Sequence, residues 1–265
     1  MSHLAVITGA SSGIGAGFAR ELAKTHSHLW LIGRRHEELN ALAASIHANE
    51  HCECVVMEVN LDDRQALQTL ADKIAQEPHI LTLVNNAGYA VDGVFHEMPW
   101  EQHDALSTVH IQATMQLTHA ALPAMVNNQN GAIYNVASVA SWLPTPNSPL
   151  YGPTKAYIRQ FTNSLIPVYR PKGVRMISVC PGFTRTDFHS RMGVNIEKFY
   201  KDKGMLRSST VDEVVHQAMQ DIGAGKIVSV AGNNFKLISR ILRMLPDRLL
   251  QWITARDTSF KRQTN

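Results

Sequence analysis

The sequence predicts an α/β protein, a single doubly wound domain around a parallel seven-stranded sheet, with a helical extension at the C-terminal end. Three observations carry this. Seven short apolar runs, Leu4–Thr8, Leu29–Ile32, Cys54–Val59, Leu81–Val84, Ala132–Val136, Arg175–Val179 and Ile227–Val230, recur along the chain. Helix-length stretches separate them, as parallel neighbours require, because such strands need crossover connections. A glycine-rich turn follows the first run directly. The runs are near-continuously apolar, as in Leu4-Ala5-Val6-Ile7, the pattern of strands covered on both faces.

The intervening helices are predicted at Ile14–Thr25, Glu37–Asn49, Arg64–Gln76, Trp100–Val126, Tyr151–Val168 and Val211–Ile222. Pro167 is expected to end or kink the fifth of these. No Gly/Ser or Pro-rich linker, internal repeat or change of composition divides the chain. Residues 1–234 are therefore read as one domain and 235–265 as an amphipathic helical extension.

Composition narrows the classes. A chain of 265 residues with 45% hydrophobic and 18% charged residues builds a large core, which excludes disordered, collagen-like and solenoid proteins. A net charge of +3 is too small to argue for nucleic acid as a partner. Three cysteines, Cys52, Cys54 and Cys180, are too few for a disulfide scaffold and suggest a reducing compartment. The opening Met1–Gly9 segment lacks a basic n-region and is not expected to be a signal peptide. No stretch approaches the roughly 18 apolar residues of a spanning helix, so a cytoplasmic protein is expected.

Thr8-Gly9-Ala10-Ser11-Ser12-Gly13-Ile14-Gly15 joins the first strand to the first helix. Glycines let backbone approach a pyrophosphate, and the unpaired N–H groups and dipole of a helix start stabilise its charge. The alternative is a glycine turn without a ligand, which three glycines at this spacing disfavour.

These residues resemble the signature of the short-chain dehydrogenase/reductase family, Thr-Gly-x-x-x-Gly-x-Gly at 8–15. The resemblance continues through Asn85-Asn86-Ala87-Gly88, Ser138, Tyr151-x-x-x-Lys155, Pro181-Gly182 and Thr186, in order and spacing, over about residues 3–190. It implies a Rossmann-type fold and a nicotinamide dinucleotide held by Gly9, Ser11, Ser12, Gly13, Ile14 and Gly15. Asn60 and Leu61 would border the adenine, Asn60 standing where the family often has Asp. Asn86, Ala87 and Gly88 would form a turn beside the adenosine half, and Pro181, Gly182, Thr184 and Thr186 would wrap the nicotinamide end.

The second strand ends in Gly33-Arg34-Arg35. An NAD site usually places a carboxylate here for the ribose 2′-hydroxyl. Two guanidinium groups with no carboxylate nearby to repel a 2′-phosphate favour NADP(H) as cofactor, with solvated surface arginines as the alternative.

Tyr151 and Lys155 are four apart and share a helix face. A free tyrosine has a pKa near 10, and a neighbouring ammonium is expected to lower it, fitting Tyr151 as general acid/base. By the resemblance, Lys155 also holds ribose hydroxyls and Ser138 the substrate oxygen. His110 stands where the family usually has an asparagine that helps hold a relay water. A histidine that titrates near neutrality could hold that water, or could be a buried structural residue.

Cys52-x-Cys54 lacks a second ligand pair, so no metal is expected. The predicted activity is hydride transfer between NADP(H) and a small-molecule carbonyl or secondary alcohol, in a homo-oligomer, as the family often forms. The alternatives are a non-catalytic NADP(H) sensor or scaffold and a membrane-peripheral reductase of lipid-like ketones. Phe188–Arg207 falls where relatives form a substrate lid. In the tail, Phe235, Ile238, Leu242, Leu245, Leu249 and Trp252 recur at helical spacing, broken by Pro246, which predicts two short amphipathic helices. Seven Lys/Arg against Asp247 and Asp257 concentrate the chain's basic character there. Packing against the domain or a subunit is the expected role; a lid over substrate and attachment to anionic lipid are the alternatives.

Overall fold

The computed structural model describes residues 3–186, 188, 204 and 206–255. Seven strands form one sheet in which every pairing is parallel: β1 (Leu4–Thr8), β2 (His28–Gly33), β3 (Glu53–Glu58), β4 (Ile80–Asn85), β5 (Gly131–Val136), β6 (Val174–Val179) and β7 (Val228–Ser229). Their order is β3-β2-β1-β4-β5-β6-β7. The order reverses between β1 and β4, and a crevice at such a point, at the carboxyl ends of the strands, is where open α/β sheets bind ligands.

Side-chain alternation along β1 splits the core into two layers. Ala5 and Ile7 join α1 (Gly13–Ala23), α2 (His36–Asn49) and the helix Val211–Gly223, whose Phe18, Leu39 and Val215 are fully buried. Leu4 and Val6 face the other way, toward α3 (Arg64–Ala75), α5 (Ala113–Asn127) and α6 (Tyr151–Tyr169), with Leu67, Leu117 and Ile166. β1 has both faces covered, as its unbroken apolar run requires.

Three elements differ from the sequence expectation. The long fourth helix is α4 (Trp100–Ser107), then a π-helical turn at Thr108–Gln112, then α5. One wide turn changes the direction of the helix face without any breaker in the sequence, and His110 lies inside it. Pro167 neither ends nor splits α6, which runs two residues further to Tyr169. β7 is two residues long rather than four, because it is an edge that pairs only with Ser178 and Val179 and leaves Ile227 exposed.

The chain leaving β6 is pinned where it departs and where it returns. Ser209 N–H donates to the Phe183 carbonyl at 2.8 Å and Arg185 N–H to that of Ser209 at 3.0 Å. Thr210 and Glu213 then form a capping box that starts α7 (Val211–Gly223). Most of the expected lid, 189–203 and 205, lies outside the described residues.

The tail folds as α8 (Asn233–Met244) and α9 (Asp247–Ala255), separated at Pro246 as predicted. Arg256, Asp257, Lys261 and Arg262 lie outside the described residues. Phe235, Ile238 and Leu242 pack on a third apolar cluster around Val139 and Cys180. The predicted stripe does not continue through α9, where Leu250 is buried while Leu249 and Trp252 are exposed, because the Pro246 break resets the helical phase.

Candidate active site

The glycine turn is fixed from below by one hydroxyl. Thr8 Oγ1 donates to the Val84 carbonyl at 3.3 Å and accepts from the backbone N–H groups of Asn86 (3.0 Å) and Ala87 (3.1 Å). Asn86 Nδ2 returns the contact, donating to the carbonyls of Thr8 (3.0 Å) and Gly9 (3.2 Å). The ends of β1 and β4 are thereby locked together. Gly9 has φ +64° and Gly13 φ +55°, conformations that favour glycine. A Cβ on Gly15 would collide with the Gly9 carbonyl and Asn86.

Ser12 is the N-cap of α1, but its side chain makes no capping bond, and no carboxylate occupies the first turn. Amide donors and a positive dipole end are therefore presented together, a donor set suited to a pyrophosphate. Thr186, in the segment after β6, stands against this turn, its Cγ2 only 3.2 Å from where a Gly13 Cβ would be.

Arg35 Nη2 donates to Ser11 Oγ at 2.8 Å and to Ser12 Oγ at 2.7 Å, while Arg34 is exposed at the same strand end. The expectation that no carboxylate lies nearby is corrected: Glu38, one turn into α2, pairs with Arg35 Nη1 at 3.3 Å. The three-residue spacing brings it back over the helix start. Asn60 is exposed and its carbonyl accepts from Asp63 N–H, whereas Leu61 is buried in the second core layer. Ile14 packs partly against the first.

Ser138, Tyr151, Lys155 and His110 converge at the carboxyl end of the sheet. Ser138 follows β5 and caps the short helix Val139–Trp142, its Oγ accepting from Ala140 N–H at 3.1 Å. Its side chain also hydrogen-bonds Tyr151. Lys155 Nζ donates to the Val136 carbonyl at 2.9 Å and lies 5.7 Å from the centre of the Tyr151 ring. A Cβ on Gly88 would meet His110 Nε2 at 2.9 Å and Lys155 Nζ at 3.3 Å, so this turn must be glycine for the cluster to close. After β6, the Pro181 carbonyl accepts from Val139 N–H (2.9 Å) and Thr184 Oγ1 donates to the Gly182 carbonyl (3.1 Å). Gly182 has no room for a Cβ beneath the Phe235 ring.

The electrostatics correct two expectations. Burial raises the Tyr151 phenol above its ordinary value, against the opposing hydrogen bond from Ser138. The predicted depression is absent: burial dominates, and Lys155 holds its nearest contact with a carbonyl rather than with the phenol oxygen. Lys155 itself is pushed down to about 8, chiefly by burial.

His110 does not titrate near neutrality. Burial first, and the Lys155 charge second, hold its pKa well below the usual value. Both ring nitrogens are used: Nε2 accepts from Tyr89 N–H at 3.1 Å, which leaves Nδ1–H to donate to Thr154 Oγ1 at 2.8 Å. Thr154 Oγ1 donates in turn to the Tyr151 carbonyl at 3.0 Å. A neutral imidazole with both nitrogens occupied has nothing left to hold a water, so the structural alternative is the one the geometry matches.

Thr8 and Thr154 were not among the sequence candidates. Their signals were present, Thr8 as the first residue of the glycine signature and Thr154 between Tyr151 and Lys155. Cys54 is pushed up to about 12 by burial, and no metal-holding cluster exists among the described residues.

Residues 3–195 match the short chain dehydrogenase family. The chain belongs to that family. Its members act on alcohol and carbonyl groups, and this short-chain dehydrogenase is an oxidoreductase with a Rossmann-like fold. Sulfoacetaldehyde reductase 2 of Chromohalobacter salexigens is 33% identical over 222 residues, covering 81% of this chain and 87% of its own. A short-chain dehydrogenase from Sphingobium yanoikuyae, solved in complex with NADPH, is 28% identical with a TM-score of 0.79, covering 99% and 98%. A 7β-hydroxysteroid dehydrogenase structure has a TM-score of 0.86 at 22% identity, covers 96% of each chain, and shows the shared fold.

Proposed function

We propose that this short-chain dehydrogenase uses NADP(H) and interconverts a small carbonyl compound and its alcohol, with Tyr151 as the proton-transferring group. The observation that carries the reading is Arg35, whose guanidinium lies on Ser11 and Ser12 at the lip of the glycine turn. That group, shared with Glu38, and the two hydroxyls stand with Arg34 at the end of β2, where a 2′-phosphate distinguishes NADP from NAD. The NADPH-bound relative from Sphingobium yanoikuyae supports the same cofactor.

The bound dinucleotide supplies or takes up the hydride. The uncapped start of α1 would hold the pyrophosphate. Ser138, whose Oγ accepts from Ala140 and whose side chain bonds Tyr151, would turn its O–H from the phenol to the substrate oxygen. Burial keeps the Tyr151 hydroxyl protonated at neutral pH, the state a proton donor to a developing alkoxide needs. Lys155 remains mostly charged at neutral pH and offsets the negative charge left on the phenolate. His110 and Thr154 act as positioning residues, tying the turn at Tyr89 to the backbone of Tyr151.

Residues 1–234 carry this chemistry, and the extension from 235 touches it through Phe235 against Gly182. NADPH oxidation measured against a panel of aldehydes, ketones and 3-oxoacyl thioesters, repeated with NADH, tests the reading. NADPH-dependent turnover is expected. Tight NADPH binding with no turnover across the panel would favour the sensor reading, and equal use of NADH would refute the role of Arg35.

A further inference from the structure

The tail carries more apolar surface than the domain covers. On α8, Phe235 and Ser239 are buried and Ile238 and Leu242 partly so. The opposite side presents Leu237, Ile241 and Met244, spaced four and three apart, all exposed and Met244 to 83%. On α9, Leu250 is buried, while Leu249, Trp252 and Ile253, on the flank beside it, are exposed. Six large apolar side chains are thus exposed on two consecutive short helices, apart from those that bind the domain.

The charges on these helices run one way. Lys236, Arg240, Arg243 and Arg248 stand against Asp247. Lys236 reaches Gln217 and Arg243 stacks over Trp142, whereas Arg240 and Arg248 have no hydrogen-bond or ion-pair partner among the described residues. In helical projection Arg240 borders the Leu237–Ile241–Met244 stripe, and Arg248 borders that of Trp252.

We propose that α8 and α9 dock this enzyme on an anionic lipid surface, lying in the interface plane with the exposed stripe in the headgroup–acyl boundary. An apolar stripe edged by unpaired arginines and containing a tryptophan matches that boundary. A second copy of the chain fits less well, since its matching helices carry the same excess of basic residues, four against Asp247. A lid over the substrate fits less well too, because the stripe faces away from Phe235 and the segment it covers. The attachment is peripheral: among the described residues no helix is long and apolar enough to cross a membrane.

Cosedimentation of the full chain with phosphatidylglycerol/phosphatidylcholine vesicles tests this, with pure phosphatidylcholine vesicles and high salt as controls. Binding to the anionic vesicles is expected, weakened by salt. Arg240→Gln and Arg248→Gln should each weaken it about fivefold, from roughly 1 kcal/mol per basic residue. Ile241→Ser with Trp252→Ser should abolish it while NADPH binding, read by fluorescence, stays unchanged and reports an intact fold. Absence of binding to anionic vesicles, or equal binding to neutral ones, overturns the proposal. So does a sedimentation-velocity dimer that the Ile241→Ser, Trp252→Ser variant dissociates.

Discussion

The Arg35 lip and the Tyr151 cluster sit at the same edge of the sheet but are built on opposite principles. Arg35 is nearly a third exposed and steadied by two hydroxyls and the Glu38 carboxylate. Lys155 and His110 are enclosed and Tyr151 is half-buried beside them, and burial is the largest influence on each of the three. The open region recognises by charge and geometry. The closed one sets protonation states by withholding water, so that tyrosine stays neutral, histidine stays neutral and lysine is brought within reach of neutrality.

The sharpest break of the closed region is Tyr151→Phe, which removes only the transferable proton. Turnover should fall at least roughly 100-fold, the lower range for a positioned acid, with NADPH affinity nearly unchanged. A variant retaining a tenth of the rate would exclude Tyr151 as the donor. In the open region, Arg35→Asp should lower the preference for NADPH over NADH by roughly 100-fold, because a charge-assisted contact is lost and a repulsive one gained. Dissociation constants for both cofactors decide it, and unchanged values would refute the assignment.

The smallest effect separates the two regions by pH. His110 is depressed in the folded state, so the unfolded chain binds its proton first as pH falls. Stability from this residue is present above pH 6.5 and lost progressively below it. Urea midpoints of wild type and His110→Asn at pH 7.5 and 5.5 should show the variant less sensitive to acid. His26, also lowered by burial, accounts for a residual slope in both. Identical slopes would show that the ring is not held neutral, and a rate inflection near pH 6.5 abolished by the substitution would restore His110 to a titrating role.

Legibility in the sequence follows the same division. The strands and the glycine turn could be read because their causes are local: continuous apolar runs, and a backbone conformation that favours glycine at Gly9 and Gly13. The convergence of Ser138, Tyr151 and Lys155 came from the family pattern. What escaped depends on distant partners. The satisfaction of His110 needs Thr154, 44 residues on, and a π-helical turn that leaves no mark in the periodicity. The direction of the Tyr151 shift needs the degree of enclosure, which spacing does not encode. The exposed stripe of Leu237, Ile241 and Met244 was present as a four-three spacing, but the stronger Phe235–Ile238–Leu242 period overlaid it.

The place of β1 has a consequence for how the protein is made. Its nearest partner in sequence, β2, begins at His28, but its other neighbour, β4, pairs across 76 positions, from Leu4 to Ile80. The hydroxyl of Thr8 finds its two amide donors only at Asn86 and Ala87. During synthesis at about 5–20 residues per second, the first strand therefore waits several seconds for the second half of its socket. A nascent chain that ends before Asn86 has the glycines, the helix start and β2, but lacks the Asn86 and Ala87 amides that Thr8 accepts from. The cofactor can act as a folding ligand only after that point, so NADPH added to ribosome-bound chains should protect those carrying β4 from proteolysis and leave shorter ones unprotected.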